Sequence, residues 1–484
     1  MSSNVPAPTF IRGGAARAAP LLAALLAGGC STLNAARETF LGGQAPAATT
    51  PARLTGFIGA AVADEPRAAL AAREVLALGG SAADAAVALS FTLAVTLPSR
   101  ASLGAGGACL AYNPSRDGPG AGTPEAILFT PAPGGGAPGA DRPAAAPMLP
   151  RGMFALHARY GRQPIEGLIA PAEQLARFGT PASRALARDL ALVAGPLRAD
   201  PVSASVFAPG SALLAEGGQL VQPDLGATLA QLRTAGIGDL YQGALGRRFA
   251  AASVPAGGGV TFEAMRAALP RTAAPIMLPA GRDQVAFLPP LADGGLAAAA
   301  AFTQLQANTA DLAAAQARAE AVAVRWRAGG GDAQALLAST GGGVLPPLGA
   351  GTSFATLDRD GNAVVCALTM NNLFGTGRTA PGLGVVLASS PTAAPPALLP
   401  AALAWNANVR GFRAAVGGSG QAGGPLGVAA GMLNALRSGE ALPVPAPDPG
   451  RSNVIACAQY LPGEEEACRW ATDPRGAGLA AGSN

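Results

Sequence analysis

The spacing of apolar residues changes several times along the chain, and the first ordered block begins at residue 56. Residues 56–63 read GFIGAAVA, an unbroken run of small and apolar side chains that predicts a buried strand. Asp64 follows this run and is predicted to cap a helix that extends to Leu78. Residues 81–84, SAAD, form a capping-box pattern and predict a second, apolar helix that ends at Pro98. The ordered chain is therefore expected to open with a strand and two helices.

The middle of the chain is mainly helical in pattern. Short apolar runs at 108–112 and 126–129 predict two strands beside a loop rich in Gly and Pro. Helical spacing then prevails from residue 153 to about residue 271. Residues 296–327 predict one or two Ala-rich helices. This order indicates a mixed α and β fold with helices inserted between strands.

A second strand-rich part begins abruptly at Thr352. Residues 352–357 and 362–370 are β-like, and Asp358-Arg-Asp-Gly361 between them predicts a hairpin. Residues 384–388 predict a third strand. Residues 413–437 are expected to form a Gly-rich turn that enters a helix. Such a turn either presents backbone N–H groups to an oxyanion or serves only as a connection, and the motif alone favours the connection.

Composition narrows the classes of function. Half of the 484 residues are hydrophobic, only 13% are charged, and the net charge is +4. All basic residues are Arg and they are scattered, so the chain has no basic stripe and no nucleic-acid partner is expected. The single histidine, His157, excludes a His-rich metal site, and no cysteine spacing is typical of zinc. No metal is therefore expected.

The N-terminal segment has the pattern of an export signal. An apolar stretch at 18–29 follows two arginines and is too short to span a bilayer. It ends at Cys30 in Leu-Ala-Gly-Gly-Cys, which resembles a bacterial lipobox with its leucine one position too far from the cysteine. We therefore expect a signal peptide at 1–29, lipid on Cys30 and a tether at 30–55; the alternative is an ordinary signal peptide that is cut nearby. Both imply export, and lipidation implies a protein of the bacterial periplasm that the lipid alone attaches to the membrane.

The remaining cysteines fall into two pairs. Cys457 and Cys468 bracket a polar loop and are predicted to form a disulfide, since exported proteins are exposed to oxidising conditions. Cys109 and Cys366 lie in apolar, strand-like runs, and we expect them to behave as small buried hydrophobic residues.

Several segments resemble the γ-glutamyltransferase family, and the resemblance extends over most of the chain. The matching segments occur in the family's order: LGGSAADAAVALSFTLAVTLPSRASLGAGGACLAY (78–112), ALHARYGRQPIEGLIAPAEQLARFG (155–179), LRTAGIGDLYQGALGRRFAAA (232–252), GGGVTFEAMRA (257–267) and GTSFATLDRDGNAVVCALTMNNLFGTGR (351–378). The resemblance implies an α+β fold, the four-layer αββα sandwich of the N-terminal-nucleophile hydrolase type. It also implies one precursor that gives a large-subunit region, 56–351, and a small-subunit region, 352–484.

The family's chemistry suits a chain with one histidine. The resemblance implies self-cleavage between Gly351 and Thr352, after which Thr352 is an N-terminal nucleophile with its own α-amino group as the base. Thr352 would attack a small-molecule amide and form an ester that water or an amine then releases. The reaction needs no cofactor, and His157 is expected to be a helix-surface or helix-contact residue and not a catalyst.

The alignment around Thr352 allows two interpretations. The interval from Thr352 to the hairpin turn is one residue shorter than in the family, and strand side chains alternate between faces, so only a bulge would keep Thr352 in the pocket. A gap-free alignment instead puts Gly351 in the nucleophile's place and Ser353 in the place of the family's histidine. Thr352 is then an ordinary strand residue, and the chain is a catalytically silent envelope lipoprotein for binding or structure.

Four other residues match positions of the family's site. Thr369 corresponds to the second active-site Thr, which supports the nucleophile hydroxyl. Asn371 corresponds to an Asn that contacts the substrate near its α-carboxylate. Gly420 and Gln421 are the placement that the resemblance gives for the two backbone N–H groups of the oxyanion hole.

The groups that hold the charged end of a γ-glutamyl substrate are missing. The family's Arg clamp falls at Thr130, and its Asp falls in a segment without an acid that ends at Ala393. The family's pair of serines falls on Ala401 and Ala402. The resemblance therefore implies an amide transferase or hydrolase of altered specificity.

Overall fold

The computed structural model describes residues 1 and 53–483, apart from 116, 120, 138, 338–344 and 346–348. The predicted signal peptide, Cys30 and nearly all of the predicted tether lie outside these residues. No helix in the described part of the chain is both long enough and apolar enough to cross a membrane.

Two antiparallel sheets contain thirteen strands of the described chain. In chain order they are β1 (Gly59–Ala63), β2 (Gly106–Tyr112), β3 (Glu125–Phe129), β4 (Arg271–Ala273), β5 (Ile276–Ala280), β6 (Asp283–Phe287), β7 (Gly349–Asp358), β8 (Ala363–Asn372), β9 (Ala401–Asn406), β10 (Gly411–Ser419), β11 (Arg451–Leu461), β12 (Cys468–Thr472) and β13 (Leu479–Ser483). The first sheet has the order β13-β1-β7-β8-β2-β3-β4, and the second has the order β12-β11-β10-β9-β6-β5.

The described chain also contains fifteen α-helices. They are α1 (Pro66–Ala77), α2 (Ala82–Thr96), α3 (Leu149–Tyr160), α4 (Ile165–Phe178), α5 (Arg184–Leu192), α6 (Ala194–Ala199), α7 (Pro201–Phe207), α8 (Pro223–Ala235), α9 (Asp239–Gln242), α10 (Ala244–Ser253), α11 (Phe262–Ala267), α12 (Asp293–Ala307), α13 (Leu312–Gly329), α14 (Ala333–Leu336) and α15 (Gly423–Ser438). Helices α1 to α4 and α8 share a core with the first sheet, whereas α12, α13 and α15 share one with the second.

The apolar side chains form three buried layers. An outer core joins the first sheet to its helices and includes Phe91 and Phe354, and a second outer core includes Phe302 and Val416. A central core between the sheets includes Leu357. Because each central strand is apolar on both faces, both faces need a covering layer. The predicted αββα sandwich is therefore confirmed.

The local predictions near the first strand are partly right. Helix α2 begins with the predicted capping box, in which Ser81 and Asp84 bind each other's backbone N–H groups. Helix α1, however, is capped by Glu65, whose side chain accepts from the N–H of Ala68. The prediction that Asp64 caps this helix is wrong, because the carboxylate of Asp64 has other partners, described below.

The second strand-rich part also differs from the prediction at two places. The hairpin is present as β7 and β8, but the predicted strand at 384–388 shrinks to Val385–Val386, which pairs with Thr379–Ala380. The segment that begins at residue 413 is strand β10 as far as Ser419, so the first glycines of the Gly-rich segment lie in a strand, and α15 begins four residues later.

Both cysteine pairs form disulfides. Cys457 is joined to Cys468, the pair that the sequence predicts. Cys109 is joined to Cys366, so the expectation of two separate buried thiols is wrong. The two residues face each other because the register of β2 and β8 places Cys109 opposite Cys366.

The predicted subunit regions share both sheets. In the first sheet, β7 and β8 lie between β1 and β2, which come from residues before 351. The predicted cleavage bond, Gly351–Thr352, lies inside β7. Cleavage there would separate two chains that remain interleaved.

Candidate active site at the start of strand β7

The register of β1 and β7 brings an acidic side chain to the predicted cleavage bond. The two strands are antiparallel, with Ala63 opposite Phe354. The residue after Ala63 is Asp64, so continuation of this register puts Asp64 beside Ser353 and close to Thr352. Asp64 is partly exposed, whereas Thr352 and Ser353 are fully buried.

Both oxygens of the Asp64 carboxylate accept hydrogen bonds. Oδ2 accepts from the hydroxyl of Thr352 at 2.9 Å and from the backbone N–H of Ser353 at 3.2 Å. Oδ1 accepts from Nδ2 of Asn453 at 2.8 Å. The same Nδ2 lies 2.9 Å from the carbonyl oxygen of Ser353 and 3.0 Å from its hydroxyl. Asn453 lies on β11, so these contacts connect the two sheets.

Thr352 faces the helices and not the space between the sheets. Its neighbours along β7 alternate: Phe354 belongs to the outer core, whereas Ala355 and Leu357 belong to the central core. Even-numbered residues of this strand therefore point toward the helices. In agreement with this, the hydroxyl of Thr356 donates to the carbonyl of Ala82 at the start of α2.

Thr369 lies on the opposite face of the same sheet. On β8, Val365 and Ala367 belong to the central core, and Leu368 belongs to the outer core, so Thr369 points between the sheets. Its hydroxyl donates to the carbonyl of Ala350 at 2.5 Å. The hydroxyls of Thr352 and Thr369 thus have different partners on different faces.

The strand register agrees with the gap-free alignment. Gly351 lies opposite Thr369, and Thr352 lies opposite Leu368. The register shifts once, between Ala350 and Gly351. This irregularity precedes Gly351, so it does not bring Thr352 opposite Thr369.

Asn371 is held in a strained backbone conformation at the end of β8. Its φ is +63°, which is uncommon for a residue other than glycine. Its Nδ2 donates to the carbonyl of Ser389 at 2.9 Å, and its N–H donates to the hydroxyl of Thr369 at 2.8 Å. Its Oδ1 is buried without a hydrogen-bond partner. Buried polar atoms are normally paired, so this unpaired acceptor marks an unusual position beside Thr369.

The Gly-rich segment approaches the site from the second sheet. A Cβ on Gly417 would lie 2.9 Å from the Cβ of Ser353, so only glycine permits this contact between the sheets. Gly420 has a φ of +87°, and a Cβ there would lie 2.2 Å from the carbonyl oxygen of Pro449. Gln421 accepts from the N–H of Leu398 through its side-chain oxygen at 3.1 Å. The turn is thus rigidly packed, and the oxyanion role of Gly420 and Gln421 stays a prediction.

Two further charged groups, Glu65 and Arg100, have shifted pKa values. Burial raises the pKa of the Glu65 carboxyl, although hydrogen bonds from Ala68 and Thr96 partly oppose this. The pKa of the Arg100 guanidinium is raised. Burial lowers this pKa, but the charge of the ion-pair partner Asp189 outweighs burial, and Asp64 adds a smaller contribution in the same direction. Asp64 is therefore close enough to Arg100 to interact with it electrostatically.

Alanine occupies the two positions at which the resemblance places the family's pair of serines. Ala401 and Ala402 are fully buried in β9.

His157 lies on α3, where its Nε2 is 2.7 Å from the carbonyl oxygen of Gln163 and 3.7 Å from Asp84. Among the described residues, no group of three or more His, Cys, Asp or Glu side chains could hold a metal ion.

Sequence reasoning missed Asp64 and Asn453 as members of this site. The sequence predicts a helix cap at Asp64 and shows no motif at Asn453. The sequence signal that could have identified Asp64 is an acidic residue directly after a buried strand. Its partner was not predictable, because Asn453 is 389 positions further along the chain.

Comparison with known proteins gives a consistent set of relatives. Residues 68–328 match the family model described as Gamma-glutamyltranspeptidase. The glutathione hydrolase proenzyme of Escherichia coli (strain K12) is 27% identical over 370 residues, which cover 65% of this chain and 63% of that protein. The acylase ACY 1 proenzyme of Pseudomonas sp. (strain SE83) is 32% identical over 212 residues, covering 40% of this chain and 38% of that protein. The matches thus span less than two thirds of these relatives.

A solved structure supports the fold over nearly the whole described chain. The crystal structure of cephalosporin acylase from Bacillus halodurans superposes with a TM-score of 0.72 at 20% identity, covering 91% of this chain and 99% of that one. The fold is therefore of the N-terminal-nucleophile hydrolase type, as the sequence predicts.

Proposed function

Since the chain belongs to the γ-glutamyltranspeptidase family, we propose that it is an amide acyltransferase or hydrolase that cuts itself at Gly351–Thr352. The observation that carries the proposal is the hydrogen bond of the Thr352 hydroxyl to a carboxylate at this bond, at 2.9 Å. A nucleophile within hydrogen-bond distance of a base is the arrangement that covalent catalysis requires. Substrate contacts by Thr369 and Asn371 stay predictions from the resemblance, because the hydroxyl of Thr369 lies on the opposite face of the sheet from Thr352.

The proposed reaction uses the new N-terminus. After cleavage, the free α-amino group of Thr352 takes the proton from the hydroxyl as the oxygen attacks the amide carbon of the substrate. The amine leaves with a proton, and an ester on Thr352 remains. Water or an acceptor amine then releases the acyl group. None of these steps needs a histidine or a cofactor.

A catalytically silent protein of the envelope is the second candidate. The observation that favours it is the register in which Gly351, and not Thr352, faces Thr369. In this case the first sheet keeps the family's architecture without a nucleophile on the face between the sheets. The αββα scaffold would then serve binding or structure.

The intact mass of the mature protein distinguishes the two candidates. Cleavage predicts two fragments that meet at Gly351 and Thr352, whereas the silent protein remains one chain. The measurement is made after reduction, because the Cys109–Cys366 disulfide would hold the two fragments together.

We expect the two fragments to stay covalently joined until they are reduced. Cys109 lies before the proposed cleavage bond and Cys366 lies after it, so their disulfide links the fragments. Denaturing gels should show one band without reductant and two bands with it. A Cys109→Ala variant should give two bands without reductant. A cleaved wild-type protein that separates without reductant would contradict the expected disulfide.

We further propose that the protein is exported and anchored by lipid on Cys30. The support is the sequence LLAGGCST after a short apolar stretch. Cys30→Ala should move the folded protein from the membrane fraction to the soluble fraction, because lipid supplies most of the membrane affinity. Ser31→Ala is the matched control and should stay in the membrane fraction. A wild-type protein already wholly soluble in the periplasm would contradict the lipid anchor.

A further inference from the structure

We propose that Asp64 is the catalytic base of self-cleavage at Gly351–Thr352, and that Asn453 positions it. The inference rests on the proposed cleavage and adds the residue that starts it. Asp64 contacts the reacting atom directly, since its Oδ2 accepts from the hydroxyl of Thr352 at 2.9 Å.

The contacts of Asp64 fix its orientation. An ionised carboxylate only accepts hydrogen bonds, and Asp64 accepts from three neutral donors: Thr352, the N–H of Ser353 and Asn453. The bond to Asn453 holds Oδ1, which leaves Oδ2 directed at the hydroxyl. The backbone N–H of Ser353, the residue after Thr352, also donates to Oδ2 and helps to hold it in place. Asn453 is therefore a positioning residue and Asp64 a catalytic residue.

The other candidate bases are engaged elsewhere. Thr369 lies on the opposite face and donates to Ala350. His157, on α3, is engaged with the carbonyl oxygen of Gln163 at 2.7 Å. Before cleavage, the nitrogen of Thr352 is an amide and cannot accept a proton. The first step therefore needs a base other than the α-amino group that serves later turnover.

The step is a shift of the acyl group from nitrogen to oxygen. Asp64 takes the hydroxyl proton while Oγ1 of Thr352 attacks the carbonyl carbon of Gly351. The bond from that carbon to the nitrogen of Thr352 breaks, and the nitrogen receives the proton from Asp64. The product is an ester between Gly351 and Oγ1. Water hydrolyses this ester to give the carboxylate of Gly351 and the free hydroxyl and amine of Thr352.

This assignment is consistent with the face on which Thr352 lies, which the strand register sets. In the family the second active-site Thr supports the nucleophile hydroxyl, which the resemblance places at Thr369. Here that hydroxyl is on the other face of the sheet, and a carboxylate from the neighbouring strand takes its place. Thr352 thus differs from the family's nucleophile both in the face that its side chain occupies and in the residue that binds its hydroxyl.

The test compares rates of cleavage of the full-length precursor. Asp64→Asn keeps the shape of the side chain and an oxygen that can accept from Thr352, but it removes the basic group. We expect cleavage to slow at least about 100-fold, the usual contribution of a general base. Fragment formation is followed by intact mass, and circular dichroism checks the fold. Asp360→Asn, in the exposed hairpin turn, is the matched control and should cleave at the wild-type rate.

Chemical rescue separates a base from a merely structural residue. Asp64→Ala opens space at a partly exposed position, so formate should restore cleavage in proportion to its concentration. Equal concentrations of chloride should not. Two results would overturn the role of Asp64 while leaving self-cleavage intact. One is cleavage of Asp64→Asn at a rate within about threefold of the wild-type rate. The other is slow cleavage of Asp64→Ala that formate does not restore. A wild-type chain that never cleaves would overturn the proposed function itself.

Discussion

Thr352→Ala is expected to leave the precursor as a single uncut chain. The substitution removes the only oxygen that the proposed cleavage uses for attack on Gly351, so no fragments should form within days at neutral pH. The fold should survive, because loss of one hydrogen bond at a partly exposed carboxylate costs about 1–3 kcal/mol, a fraction of the ~5–15 kcal/mol typical of a stable domain. Intact mass after reduction measures the outcome, and thermal unfolding checks the fold.

Two further substitutions make this result specific. Thr352→Ser keeps the hydroxyl and should still cleave. Asp360→Asn, in the exposed turn that follows β7, leaves the contacts of Thr352 unchanged and should also still cleave. If Thr352→Ala cleaves as the wild type does, Thr352 is not the nucleophile. If the wild type persists as one chain for days, the silent candidate describes this protein.

Weak turnover of γ-glutamyl substrates is the second large expected effect. A γ-glutamyl donor carries an α-carboxylate and an α-ammonium, and burial of these charges without partners is costly. Thr130, Ala393, Ala401 and Ala402 occupy the positions where the family resemblance places charged or hydroxyl partners. A hydrogen bond to a charged group contributes about 1.5–3 kcal/mol, so each missing contact is expected to reduce kcat/KM by about tenfold or more. Asn371 supplies a polar contact but no charge.

The comparison of two chromogenic amides tests this expectation. Glutaryl anilide lacks the α-ammonium of γ-glutamyl anilide and should be cleaved at least as well. Lost binding remote from the scissile bond should lower kcat as well as raise KM, because that binding helps to position the carbonyl for attack. A clear preference for the γ-glutamyl compound, with kcat/KM above about 10⁴ M⁻¹s⁻¹, would show that other residues hold its charged end.

Features set by neighbouring residues were predictable from the sequence. The capping box of α2 joins Ser81 and Asp84, and the turn between β7 and β8 spans only a few residues. The Cys457–Cys468 disulfide closes a short polar loop. The layered fold also followed, through its resemblance to a family whose segments occur in the same order.

Single residues at the ends of elements were less predictable. Asp64 and Glu65 are adjacent acids, and Asp is the one of the two that helix N-caps usually favour. Glu65 caps the helix because Asp64 continues the register of β1 beside Ser353 and binds Thr352. The predicted strand at 384–388 was an apolar run, yet it pairs with only a two-residue partner.

Long-range strand pairing decided the parts of the molecule that matter for its chemistry. Cys109 and Cys366 are 257 positions apart, and only the register of β2 and β8 makes them neighbours. Asp64 and Thr352 are 288 positions apart, and Asn453 is further still. A periodic pattern specifies which residues of one strand share a face, but it does not specify which strand lies alongside or in which register. The resemblance therefore indicated the candidate nucleophile, whereas its face and its partner emerged only when the sheets were assembled.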